Sequence, residues 1–178
     1  ANANGYRKNK VALYWEGSQG EEMKYTFLEM SLLSNRFGNA LKSLDVKKGD
    51  RVFLFLPRVP ELFISFLGIT KIGAIAGTLF SAFGPQALED RLKNSDAKVV
   101  VTNKDLYPRL LKIKNKLLNL KQVILVDDWN RVNFQTESKL IKKRAPKDCV
   151  WFYDLLSKNK QYLRVAQMKP TDPAFMLY

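Results

Sequence analysis

Histidine is absent from this 178-residue chain, and cysteine occurs once, as Cys149. The first absence excludes any Ser-His or Cys-His nucleophile pair within the chain. Together they disfavour a zinc site, since zinc is held mainly by Cys and His. A general acid or base here has to be a carboxylate, a Lys or a Tyr. A lone cysteine also excludes an internal disulfide framework and suits a reducing compartment. No basic, apolar and small-residue leader opens the chain, so the expected location is cytoplasmic. Uninterrupted apolar runs are missing as well. The longest candidate, VPELFISFLGITKIGAIAGTLFSAF, is broken by Pro60, Glu61 and Lys71, whereas a membrane span needs roughly 20 nearly uninterrupted apolar residues. No GxGxxG follows a strand, no GxxxxGK(S/T) is present, and no internal repeat or low-complexity tract occurs.

Acidic residues are scarce: 17 Asp and Glu stand against 30 Lys and Arg, a net charge of +13. Residues 104–121 carry Lys104, Arg109, Lys112, Lys114, Lys116 and Lys121 against Asp105 alone, and KLIKKRAPK adds a second cluster. Such an excess attracts nucleic acid, an anionic membrane or a polyphosphate ligand, and equally it keeps solvated helix faces soluble. No RNA-binding aromatic motif, zinc finger or helix-turn-helix accompanies it. Nucleic acid and membrane are therefore not the expected partners, although a non-enzymatic basic module binding nucleic acid or another polyanion is the alternative.

Hydrophobic residues make up 46% of the chain, enough for a real core. KVALYWEG and MKYTF read as a hairpin. Thr26 and Glu29 match a capping box, and Phe27, Met30, Leu33, Phe37, Ala40, Leu41 and Leu44 mark one face of a helix of roughly five turns. RVFLFL, AIAGTLF, KVVVTN and QVILVDD then read as strands. ELFISFLGITKIGA, GPQALEDRLKNSDA and DLYPRLLKIKNKLL read as the intervening helices, the last interrupted at Pro108. This alternation over residues 51–127 predicts βαβ units: an α/β fold with a partial open, mostly parallel sheet, helices on both faces and an N-terminal hairpin. Residues 128–170 read as an irregular excursion containing one short helix in VWFYDLLSKN, and 171–178 as a strand.

Chemistry-bearing patterns are few. The pairs Glu21/Glu22 and Asp127/Asp128 sit beside turns or strand ends and read as solvated acids rather than as a metal or acid–base pair. LFSAFGP lies where a strand gives way to a helix, so its small residues let a ligand approach the backbone and the helix amides; the competing reading packs Phe80 and Phe83 inward. NKDLYPRLLK lies just past the carboxyl end of the KVVVT strand, where Arg109 or Lys112 can meet a phosphate or simply face solvent.

Taken in order, YTF-E with SNRFGNAL, KKGDRV, LP--PE, KIGAI, LFSAFGPQAL-DR, DAKVVVT and DPAFMLY resemble the amino-terminal region of AMP-forming acetyl-CoA synthetases, in the adenylate-forming superfamily of acyl-CoA synthetases. The resemblance covers residues 9–103, weakens from 104 to 168, and returns at DPAFMLY. It implies that the chain is a fragment of the large N-terminal domain, ending just before a Ser/Thr/Gly-rich phosphate loop. ATP, Mg and a short-chain carboxylate would bind the parent enzyme outside these residues, with CoA as co-substrate, and the piece alone would be inactive. It further implies that Phe80, Ser81 and Ala82 line the CoA nucleotide site and that Arg109 lies near the CoA phosphates. Ser81 and Ala82 stand where the family often has two glycines. No catalytic residue is carried over, and neither the acid substrate nor the oligomeric state is implied.

Overall fold

The structure is a computed structural model that describes residues 2–136 and 138–178. Strands β1 (Val11–Glu16) and β2 (Glu22–Thr26) pair antiparallel as the expected hairpin. Helix α1 (Phe27–Ser43) starts on the predicted capping box: Thr26 Oγ1 accepts from the Glu29 amide at 3.2 Å, and Glu29 Oε2 accepts from the Thr26 amide at 2.7 Å. Two of the amides that every helix start leaves free are thereby satisfied.

Six parallel strands follow. In chain order they are β3 (Arg51–Phe55), β4 (Ile75–Thr78), β5 (Val99–Asn103), β6 (Gln122–Val126), β7 (Cys149–Trp151) and β8 (Phe175–Leu177). Their spatial order is β7-β6-β5-β3-β4-β8, and every pairing is parallel. Helix α2 (Pro60–Lys71) links β3 to β4, α3 (Pro85–Asn94) links β4 to β5, and α4 (Tyr107–Leu111) follows β5. Helix α5 (Asp128–Gln135) follows β6, and α6 (Phe152–Ser157) follows β7. Alternation along β3 divides the interior. Val52 and Leu54 join one core with Phe37, Leu41, Ile64 and Phe152, while Phe53 and Phe55 join a second with Leu88, Leu92, Leu110 and Trp151. Burying each of these large side chains contributes on the order of 1.5–3 kcal/mol.

Close approach explains two residue choices. A Cβ added to Gly68 would stand 2.8 Å from the Ser34 carbonyl oxygen and 2.8 Å from the Phe37 ring, so α1 and α2 cross at a distance only glycine permits. Lys71, which interrupts the apolar run of α2, places its ammonium between the same helices, donating to Ser31 O, Ser34 Oγ and Asn35 Oδ1 at 2.8–3.2 Å. Burial lowers its pKa.

Three sequence readings need correction. The long basic helix expected over 105–118 is only α4 plus a single 3-10 turn at Lys114–Lys116. Leu110, Ile113 and Leu117 are still all buried, so the apolar spacing survives without a continuous helix. Pro108 does not interrupt that helix but sits in its first turn, where no amide is required. The stretch expected to be irregular contains α5, whose residues are weak helix formers but which is held by partners far away in sequence. The helix expected in VWFYDLLSKN begins only at Phe152, because Cys149–Trp151 pairs with β6 as a sheet strand.

Candidate functional site

Chain leaves β3 toward one face of the sheet, through α2, and leaves β4 and β5 toward the other, through α3 and α4. In open parallel sheets the carboxyl ends beside such a divergence form a crevice where ligands gather. Both sequence candidates lie there, and the structure joins them. Arg109 Nη1 donates to the carbonyl of Ser81 at 2.7 Å and lies 3.3 Å from that of Phe83, so α4 is tied directly to the loop between β4 and α3. The contact spans 28 residues of sequence.

Each member of the loop is placed differently. Leu79 is buried, its amide donating to Leu54 O at 2.9 Å, which anchors the loop to β3. Phe80 turns outward and is 66% exposed, contrary to the reading in which it packs inward. Phe83 does pack against the core, meeting Phe80 edge-on at 5.9 Å with the Arg91 guanidinium 4.3 Å above its ring. Ser81 and Ala82 have ordinary negative φ, so this loop does not need glycine for its backbone shape. Gly84 precedes α3 without any side-chain cap, and Pro85 occupies the first turn, leaving α3's first amides open to a ligand or water.

The basic run beside this loop is not a uniform solvated face. Lys116 and Lys93 both pair with Glu89, at 2.8 and 2.7 Å, and hold its carboxyl below the usual range. Lys114 reaches Asp148 at 3.4 Å. Lys104 sits 3.3 Å from the Trp129 ring centre, a cation–π contact. Pro85, Gln86, Glu89, Asp90, Lys112, Ile113 and Lys116 surround a shallow cavity of about 470 Å³ next to the loop. Cys149 is buried, and burial pushes its thiol up, the opposite of a reactive thiolate.

Two features were not legible in the sequence. Glu61, wholly buried in the first turn of α2, receives a two-pronged contact from Arg131 of α5, at 2.6 and 3.2 Å, and a hydrogen bond from the Tyr153 hydroxyl. The second corrects the expected solvated acid pair. Asp128 is exposed and bonds Arg131 at 2.8 Å, but Asp127 is fully buried at the end of β6. Neither Asp127 carboxylate oxygen has a hydrogen-bond partner among the described residues, while the neighbouring Asn130 amide exchanges two hydrogen bonds with the Ile141 backbone. Burial raises the Asp127 pKa to about 7, against an opposing pull from Asn130.

A parallel sheet that diverges beside β3, with an arginine-fastened loop at its carboxyl ends, is an open α/β architecture. The chain belongs to the AMP-binding enzyme family, whose profile matches residues 1–178. Among its relatives it is 53% identical over 143 residues to the acetyl-coenzyme A synthetase of Bacillus subtilis (strain 168), covering 77% of this chain and 24% of that protein. It is 34% identical over 186 residues to the 3-hydroxypropionyl-coenzyme A synthetase of Sulfurisphaera tokodaii, covering 98% and 27%. The chain thus spans about a quarter of the length of these relatives. The crystal structure of a Brucella canis acyl-CoA synthetase superposes with a TM-score of 0.81 at 29% identity, covering 98% of this chain and 29% of that one. An anthranilate CoA ligase in complex with anthranoyl-AMP superposes with a TM-score of 0.80 at 26% identity, covering 96% and 29%. Among the described residues, no helix is long and apolar enough to cross a membrane.

Proposed function

We propose that this chain forms part of an AMP-forming acyl-CoA synthetase acting on a short-chain carboxylate, with acetate the first choice. In that reaction ATP and the acid give an acyl-adenylate and pyrophosphate, and CoA then displaces AMP. These residues supply the sheet scaffold and one wall of the CoA site. The observation that carries the reading is the Arg109 contact to the Phe80–Gly84 loop. It places an exposed aromatic ring, a guanidinium with further N–H groups to offer, and the uncapped start of α3 at one end of the sheet. An aromatic face suits a purine, and the cation and helix amides suit phosphates.

ATP and magnesium are a different matter. No Gly-rich phosphate loop occurs in the 178 residues. Among the described residues no three His, Cys, Asp or Glu side chains are grouped to hold a metal ion.

Calorimetric titration of CoA and of AMP into the chain tests this reading. CoA should bind more tightly than AMP, and Phe80→Ala should weaken CoA about tenfold, the loss of one base-stacking contact. ATP–pyrophosphate exchange with acetate should show no turnover by these residues alone. Affinity that follows phosphate count, collapses with salt and ignores Phe80 would replace the proposal with a basic polyanion-binding module.

A further inference from the structure

On the face of the sheet opposite the Arg109 loop, α1, α5 and α6 enclose a cavity of about 490 Å³, within the ordinary range for small-molecule sites. Its walls are apolar at Leu32, Leu33, Ile64, Phe134 and Leu140. Its polar groups are unevenly satisfied. Arg131 is neutralised by Glu61 and Asp128. Glu29 is committed to the start of α1 through Thr26. Arg36 differs from both: it gives one hydrogen bond, to Leu156 O at 3.1 Å, lies 5.6 Å from the Phe134 ring centre, and has no carboxylate partner among the described residues. Tyr25 is 3% exposed, and its hydroxyl is directed at the Met23 thioether at 3.4 Å, a weak acceptor. Burial and the charge of Glu61 keep that phenol protonated.

A guanidinium without a carboxylate partner among the described residues and an under-used hydroxyl donor, set in apolar walls, complement a molecule with one acidic head and an apolar body. We propose that this cavity is a binding site for a small amphipathic monoanion, its head on Arg36 with Tyr25 as second donor and its body against Leu33, Phe134 and Leu140. The planar fork of Arg36 suits a carboxylate or sulfonate head. This proposal stands apart from the CoA reading and does not depend on it.

Naphthalene-2-sulfonate is a suitable probe, because a sulfonate cannot serve as an acid substrate for CoA ligation. By calorimetry and ligand-detected NMR it should bind saturably at one site, at least tenfold more tightly than uncharged 2-naphthol. Arg36→Gln should weaken it about tenfold, Leu33→Trp should abolish it by filling the cavity, and Arg109→Gln should leave it unchanged. NOEs from the probe to Phe134 and Leu33 in the unmodified chain locate it even if a variant fails to fold. No saturable binding, equal affinity for 2-naphthol, loss on Arg109→Gln, or NOEs elsewhere would each overturn the proposal.

Discussion

Replacing Glu61 with Ala should be among the most damaging single changes in the protein, and the size of the effect follows from what it strands. Glu61 is wholly buried, with Arg131 and Tyr153 both directed at its carboxylate. Removing one partner of a buried pair usually costs about 3–5 kcal/mol, because the surviving charge is left without compensation. Here Arg131 keeps Asp128 at 2.8 Å, but that carboxylate is 86% exposed and compensates weakly. The stranded Tyr153 hydroxyl adds to the loss. Because Arg131 keeps the Asp128 carboxylate as a partner and is not left wholly unpaired, a value near the lower end, about 3 kcal/mol, is expected. Against a typical total of about 5–15 kcal/mol it lowers the melting temperature by roughly 6–12 °C. Urea denaturation followed by circular dichroism, with an unchanged m-value, measures it. The double variant Glu61→Leu/Arg131→Leu should regain most of the loss, since the penalty lies in the unpaired charge rather than in a missing attraction. A single-variant loss under 1 kcal/mol, or a double variant worse than the single, would refute this account.

Further outcomes follow from other parts of the structure. Asp127 titrates near pH 7 when folded and near 4 when unfolded, so its contribution is fully present below pH 4 and is lost as pH rises through 7. Asp127→Asn should therefore stabilise the protein by about 2–4 kcal/mol at pH 8 and hardly at all at pH 4, as read from paired urea melts. Gly68→Ala gains about 1 kcal/mol of helix propensity. The new methyl meets a backbone oxygen at 2.8 Å, however, so a net loss of about 1–2 kcal/mol in thermal unfolding is expected. Arg109→Ala should raise amide hydrogen exchange across residues 80–84 while leaving β3 and β5 protected, since it cuts the contact to Ser81 and Phe83 without touching the strands.

The elements most legible in the sequence are those whose cause is local. RVFLFL reads as a doubly buried strand because its alternate residues serve two cores, and Thr26 with Glu29 marks the start of α1 through contacts three residues apart. Helix α5 was not legible, because its support comes from Glu61, 70 residues earlier. The same limit applied at the candidate site. Phe80–Ala82 and Arg109 each read as strand-end residues, but nothing in either segment announces their contact. The Asp127/Asp128 pair reads as one feature in sequence, yet the end of β6 sends one side chain inward and the other to solvent.

Arg109 spans two successive crossover connections and grips main-chain oxygens rather than side chains. Replacing the exposed Phe80, or Ser81, would therefore leave the rivet in place. The rim of the crevice is free to vary in surface chemistry while keeping one shape, because the contact that holds the loop does not pass through the side chains it displays.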